Sequence, residues 1–136
     1  RCFDTPYVNL LQYYYLKHNS LDVGFLKKNN FSLISDLDDI KKYSLTKSKN
    51  LFIANWSLSE TPIVFRKKFL KIITKSEYIL ISFQEKFENM NNLEYFNHLK
   101  FKISNEYKVK ILKNIFYTGN IVNKQNHYFF IAKKNN

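Results

Sequence analysis

The chain is poor in several residue types, and each shortage closes a class of answers. Cys2 is its one cysteine, so no internal disulfide can form. With only His18, His98 and His127 beside it, the ligands of a zinc cluster are missing. This suits a reducing, cytoplasmic setting. No apolar stretch approaches the roughly 20 residues that cross a bilayer, because Lys, Asn, Ser or Glu interrupts every one. No membrane span is therefore expected. Proline and glycine occur only twice each, and no low-complexity linker or internal repeat divides the chain. Arginine is scarce too: of 22 basic residues only Arg1 and Arg66 are not lysine.

What is present points to a folded domain. Hydrophobic residues make up 45% and aromatics 18% of 136 residues, too apolar for a disordered chain and enough for one core. The formal charge of +11 and pI near 9.6 lie where nucleic-acid binding is normally considered. Two observations argue against that partner. The lysines come with abundant Asn, Ile, Phe and Tyr, the residues of A/T-rich codons, and they never gather into a block of five or six. A basic nucleic-acid-binding module stays as an alternative, recognisable by lysines gathered on one face.

Both prolines sit in the same pattern. Asp4-Thr5-Pro6 and Glu60-Thr61-Pro62 each place an acid, a capping Thr and a Pro ahead of an amphipathic run. Thr at N-cap and Pro at N1 mark two helix starts. Behind Pro6, apolar residues at 7, 8, 11, 14 and 15 predict a helical face packed on a sheet. Behind Pro62, Ile63, Phe65, Phe69, Leu70, Ile72 and Ile73 do the same, with Arg66 among the polar positions. The runs 51–55 and 78–83 read as buried strands, and 31–35 as a half-buried or edge strand. Cys2-Phe3 resembles the end of another strand, so the chain reads as a fragment of a longer domain. Residues 86–100 read as helix or loop and helix. Residues 107–113 and 127–133 read as an antiparallel pair at one edge, joined by a polar connection containing Gly119. Alternating strands and helices predict an α/β domain with a parallel sheet.

In such sheets ligands bind beyond the carboxyl ends of the parallel strands. That rule selects Asp4, the segment Ser35 to Asp39, the segment Asn55 to Glu60, and Gln84-Glu85. A carboxylate such as Asp4 can accept both hydroxyls of a ribose, or it can simply complement a helix dipole. The Asn-Trp-Ser-Leu-Ser-Glu segment is either a binding loop or a helix cap roofed by Trp56. Glu94 and His98 form only a weak metal pairing, so no metal is expected. His98 reads as a surface histidine or a base, and Tyr13-Tyr14-Tyr15 as core with a partly exposed rim.

Three segments occur together in order: Asp4-Thr5-Pro6 with Gln12 and Tyr15-Leu16; Asn55-Trp56-Ser57-Leu58-Ser59-Glu60-Thr61-Pro62; and Ser82-Phe83-Gln84 with Phe87, Asn92, Tyr95 and Phe96. In this the chain resembles the sugar O-methyltransferases, class I enzymes dependent on S-adenosylmethionine. It departs from them at Thr5 (usually Leu), Thr61 (usually Met) and Ser82-Phe83 (usually Ala-Tyr). The resemblance implies a Rossmann-like class I methyltransferase sheet truncated at its N-terminus, with residues 1–136 as one partial domain ending in an antiparallel strand pair. It implies S-adenosylmethionine as cofactor, with Asp4 at the ribose, Asp36 on the adenine side, and Asn55 and Trp56 at the methyl donor. It makes Glu60 the base, and Ser57, Gln84 and Asn92 ligands of a sugar or glycoconjugate hydroxyl. A homo-oligomer stays open. The family's glycine-rich turn is missing, since Gly24 and Gly119 are isolated. The resemblance therefore implies that this polypeptide lacks the central strand and binds the cofactor weakly by itself. The other alternative is a partner-dependent α/β domain whose missing strand comes from another chain.

Overall fold

Strands and helices alternate as the pattern predicts in a computed structural model that describes residues 2–25, 31–36, 38–39, 50–115 and 125–135. They belong to two compact units, Arg1–Ser44 and Leu45–Asn136. In the first unit β1 (Cys2–Phe3) leads through Asp4 into α1 (Pro6–His18), followed by β2 (Val23–Gly24) and β3 (Phe31–Ile34). The strands form a parallel sheet in the order β1-β3-β2, with Phe3 opposite Ile34 and Val23 opposite Phe31. Thr5 is the N-cap of α1 and Pro6 stands at its start, yet the Thr5 hydroxyl makes no capping bond. The Thr5 N–H instead donates to Asp4 Oδ1 at 2.8 Å.

The buried face of α1 differs from the expected one. Tyr7, Leu11, Tyr14 and Tyr15 are exposed, whereas Asn9, Gln12, Tyr13 and Leu16 turn inward at helical spacing. Asn9 decides the rotation. Its Nδ2 group lies 2.9 Å from the Ile34 carbonyl, 3.2 Å from the Asp4 carbonyl and 2.7 Å from Ser35 Oγ. These polar groups at the strand ends fix which side of α1 faces β3, against the pull of the apolar stripe.

The second unit contains β4 (Leu51–Asn55), α2 (Ile63–Ile73), β5 (Tyr78–Gln84), a short hairpin of β6 (Lys86–Phe87) and β7 (Met90–Asn91), α3 (Asn92–Ile103), β8 (Tyr107–Lys113) and β9 (His127–Lys134). Its main sheet runs β4-β5-β9-β8. β4 and β5 are parallel and joined through α2, while β9 is antiparallel to both β5 and β8. The C-terminal antiparallel pair thus forms as expected, with β8 at the edge. The connection containing Gly119 falls at 116–124, outside the described residues.

Sheet alternation puts Phe52, Ile79, Ile81, Phe83 and Phe130 on one face. Phe69 of α2 and Phe96 of α3 pack there, with ring centroids 5.9 Å from Phe52 and 4.2 Å from Phe83 respectively. On the other face Leu51, Ile53, Ile131 and Leu112 are exposed. Two caps close the helices. Asn91 Oδ1 accepts the Glu94 N–H, and the Tyr107 hydroxyl lies 2.8 and 2.6 Å from the Thr74 and Ser76 carbonyls beyond α2. The start of α2 is one residue later than its pattern predicts. Pro62 is the N-cap, and Thr61 Oγ1 turns back to donate to the Leu58 carbonyl instead of capping the helix.

Candidate functional site

In a βαβ unit the chain leaves the carboxyl end of its first strand in a loop, and here that loop is a tight polar turn. Asn55 closes β4 and its Oδ1 accepts from Ser82 Oγ on β5 at 3.1 Å. Trp56 follows with φ +59°, a left-handed conformation that costs a residue with a Cβ of order 1 kcal/mol or more. It is held there by its N–H bond to the Ser82 carbonyl at 2.9 Å. The Trp56 carbonyl then accepts from the Ser59 and Glu60 N–H groups at 2.8 and 3.1 Å. Trp56, Ser57 and Glu60 stay exposed on this turn, while Leu58 and Ser59 are buried beneath it.

Gln84, at the end of β5, joins the turn to the sheet. Its Nε2 donates to Glu60 Oε1 at 3.2 Å, and its Oε1 lies 2.9 Å from Ser59 Oγ. Across the strand pair it faces His127 of β9, whose ring lies 5.2 Å from the Trp56 ring. Asn55, Trp56, Glu60 and Gln84 therefore converge at the carboxyl end of β4 and β5. In the first unit Asp4 and Asp36 hold the equivalent places after the parallel strands β1 and β3. Asp4 accepts from Thr5 N–H and, at 3.4 Å, from Gln12 Nε2. Asp36 Oδ1 accepts the Asp38 N–H in an exposed turn.

Asn92 does not fit the expected role of sugar ligand. It is fully buried. Its Oδ1 accepts from Arg66 Nη1 at 2.8 Å and its Nδ2 donates to the Gln84 carbonyl at 3.0 Å. Its amide braces the end of β5 from below and offers no surface to an acceptor. Arg66, read as part of the polar side of its helix, is likewise buried, with 0% exposure. Its Nε donates to the Thr61 carbonyl at 2.8 Å and its Nη2 to the Ser59 carbonyl at 2.6 Å. The guanidinium lies 4.9 Å from the Tyr95 ring centroid. Burial pulls its pKa below the ordinary arginine value, partly opposed by Tyr95, whose own pKa burial raises. One signal could have found Arg66: an interior arginine is conspicuous in a chain that otherwise uses lysine. No such signal marks His127.

Among the described residues no three His, Cys, Asp or Glu side chains gather as metal ligands. Glu94 and His98 stand 3.9 Å apart, both exposed. Among the same residues no helix is long and apolar enough to cross a membrane.

Burial lowers the His127 pKa below its ordinary value near 6.5. The unfolded chain then binds a proton at higher pH than the folded one. This group's contribution to stability is full above about pH 6.5 and is lost as pH falls through the lowered folded value. Trp56 is the chain's one tryptophan, and an imidazolium beside an indole quenches its emission. A fluorescence titration of the folded protein should therefore show quenching centred below pH ~6.5, absent in His127→Gln. A midpoint at or above that value would contradict the burial argument. Compared with protein-family models, curated proteins and solved structures, the chain matches none.

Proposed function

We propose that the chain forms the later part of an S-adenosylmethionine-dependent methyltransferase domain acting on a hydroxyl of a sugar or glycoconjugate. The observation that carries this reading is the cluster at the carboxyl end of β4 and β5, where exposed Glu60 is tied to Gln84 beside the partly exposed Trp56 ring. Ligands of open α/β sheets sit at that end. The residues fit such a cofactor in part. The Asp4 carboxylate uses two of its roughly four acceptor positions on Thr5 and Gln12, leaving capacity for ribose hydroxyls.

The bound sulfonium would supply an electrophilic methyl group. The chain's tasks are then alignment and removal of one proton. With the methyl–sulfur bond of the donor breaking as the acceptor oxygen is methylated, the part left to the chain would be to take that oxygen's proton, on a Glu60 carboxylate oxygen. Gln84 holds that carboxylate through its side-chain amide, Ser57 stands exposed on the same turn, where it could meet the acceptor, and Asn55 and Trp56 would hold the methyl donor. By the resemblance, Asp36 would serve the adenine side.

The test uses a polypeptide extended upstream of Arg1 to include a first strand and glycine-rich turn. Asp4→Ala should weaken cofactor binding by about 1–3 kcal/mol in calorimetry, the cost of a hydrogen bond to a charged group. Glu60→Gln should lower turnover about 100-fold or more with cofactor affinity unchanged. An extended chain that binds no cofactor would end the reading. One observation favours the alternative of a nucleic-acid module: Lys108 lies directly opposite Lys133, with Lys110 on the same face, a like-charge pairing that an anionic partner would relieve. Single-stranded oligonucleotide in the same calorimeter separates the two, since its binding would weaken steeply with salt.

A further inference from the structure

Arg66 makes an unusual set of contacts for a buried cation. Its bonds go to the carbonyls of Ser59 and Thr61, to Asn92 Oδ1, and to Met90 Sδ at 3.5 Å. No carboxylate is among its partners in the described residues. A buried arginine ordinarily meets an acid, because an unpaired charge is expensive to desolvate. Here the planar fork is matched to neutral oxygens, and the two main-chain carbonyls it takes belong to the residues on either side of Glu60.

We infer that Arg66 is the positioning residue of the Glu60 turn, acting through the Ser59 and Thr61 carbonyls to hold the Glu60 carboxylate beside Gln84. Nε and Nη2 belong to one rigid plane, so the two carbonyls are fixed relative to each other as well as to α2. Asn92 extends the same grip to β5, since it receives Nη1 and gives its own N–H to the Gln84 carbonyl. Both ends of the Glu60–Gln84 bond are thereby referred to one guanidinium. The turn's conformation, including Trp56 at positive φ, then persists without a ligand. This rests on the proposed function only for the purpose the placement serves; the placement itself is independent of methyl transfer.

Hydrogen exchange of the folded chain tests it without any cofactor. The Ser59, Glu60 and Thr61 amides are bonded to the Trp56 and Leu58 carbonyls and report the turn. Amides of β5 and β9 report the sheet. In Arg66→Met, which keeps length and removes every donor, the turn amides should exchange at least ~10-fold faster, about 1.4 kcal/mol of local opening. The β5 and β9 amides should stay within ~3-fold of the parent. Arg66→Lys should fail to restore the turn, because the three donors of an ammonium radiate from a single nitrogen, whereas the two carbonyls and Asn92 Oδ1 each meet a different nitrogen of the guanidinium. Trp56 emission should shift in both variants. Exchange that rises equally in turn and sheet would make Arg66 a general stabiliser and overturn the inference. A lysine variant with parent-like turn exchange would overturn it too, and decides the matter if Arg66→Met does not fold. In the upstream-extended chain, lost turnover with parent-like turn exchange counts against Arg66 as positioner. Altered turn exchange in a chain without methyl transfer counts against the proposed function alone.

Discussion

Phe96→Ala should destabilise the second unit by about 3–5 kcal/mol, the range for removing a fully buried aromatic ring. The Phe96 ring is 0% exposed and packs from α3 onto the sheet face formed by β5 and β9. Its centroid stands 4.2 Å from Phe83 on β5 and 5.8 Å from Phe130 on β9, and Tyr95 meets it edge-on at 5.2 Å. Removal therefore opens a cavity where α3 closes over the sheet, and Ile81, Leu99 and Ile103, themselves buried, belong to secondary structure that cannot collapse freely into it. Folds of this size hold about 5–15 kcal/mol, so the loss takes a large share. Urea unfolding should show a lower midpoint with an unchanged slope, and Phe96→Leu should cost distinctly less. A Phe96→Ala variant within about 1 kcal/mol of the parent would mean that α3 contributes little to the core.

Asn9→Leu should destabilise the first unit by about 2–3 kcal/mol although it adds apolar volume to a helix. The Asn9 amide serves the Asp4 and Ile34 carbonyls and Ser35 Oγ. The buried Ile34 carbonyl left without its donor costs about 1–3 kcal/mol, and the part-buried Asp4 carbonyl and Ser35 hydroxyl add less, since water reaches them. Asn9 Oδ1 has no partner among the described residues, so its removal relieves one buried polar atom and holds the net loss to about 2–3 kcal/mol. Leu11→Ala, on the exposed side of the same helix, should stay within about ±0.5 kcal/mol. The contrast inverts what hydrophobicity alone would say of these positions. Exchange of the Leu33 and Ile34 amides reads it directly. Greater sensitivity to Leu11 than to Asn9 would show that the apolar stripe is what α1 buries.

The same two residues mark where sequence reasoning reaches and where it stops. Strands 51–55 and 78–83 are legible as apolar runs of strand length bounded by polar residues; the second is largely buried as expected, whereas the first is not, since Leu51 and Ile53 are exposed on the open face of the sheet. Pro6 and Pro62 locate both helix starts to within a residue, because a missing N–H is tolerated only there. The antiparallel pair at 107–113 and 127–133 is legible from β-branched and aromatic runs bounded by polar segments, with the second strand running one residue further, to Lys134. The rotation of α1 is not, since it depends on carbonyls at the ends of strands distant in sequence, which leave no periodic trace. For the same reason Arg66 reads as a solvated position and Asn92 as an exposed ligand: hydrophobic periodicity treats polar residues as outward-facing. The hairpin of β6 and β7 has strands of two residues each, too short to show alternation. At the candidate site, the placement of Asn55, Glu60 and Gln84 follows from the strand ends, whereas His127 arrives by strand pairing from the far end of the chain.

That pairing has a consequence for the order of assembly. β9 lies inside the sheet, bonded to β5 on one side and β8 on the other, so neither β5 nor β8 can complete its ladder until residues near 134 have left the ribosome. A nascent chain holding everything through β8 would have the parallel pair β4 and β5 with its helices but no way to attach β8. It would expose the antiparallel edge of β5, Ile79 and Ile81 included, for the time needed to make the remaining segment. Non-local closure of this kind slows folding and leaves partly made chains prone to association. Such chains would depend on chaperones until β9 emerges, and the imidazole beside Trp56 would be the last of the candidate site's side chains to be put in place.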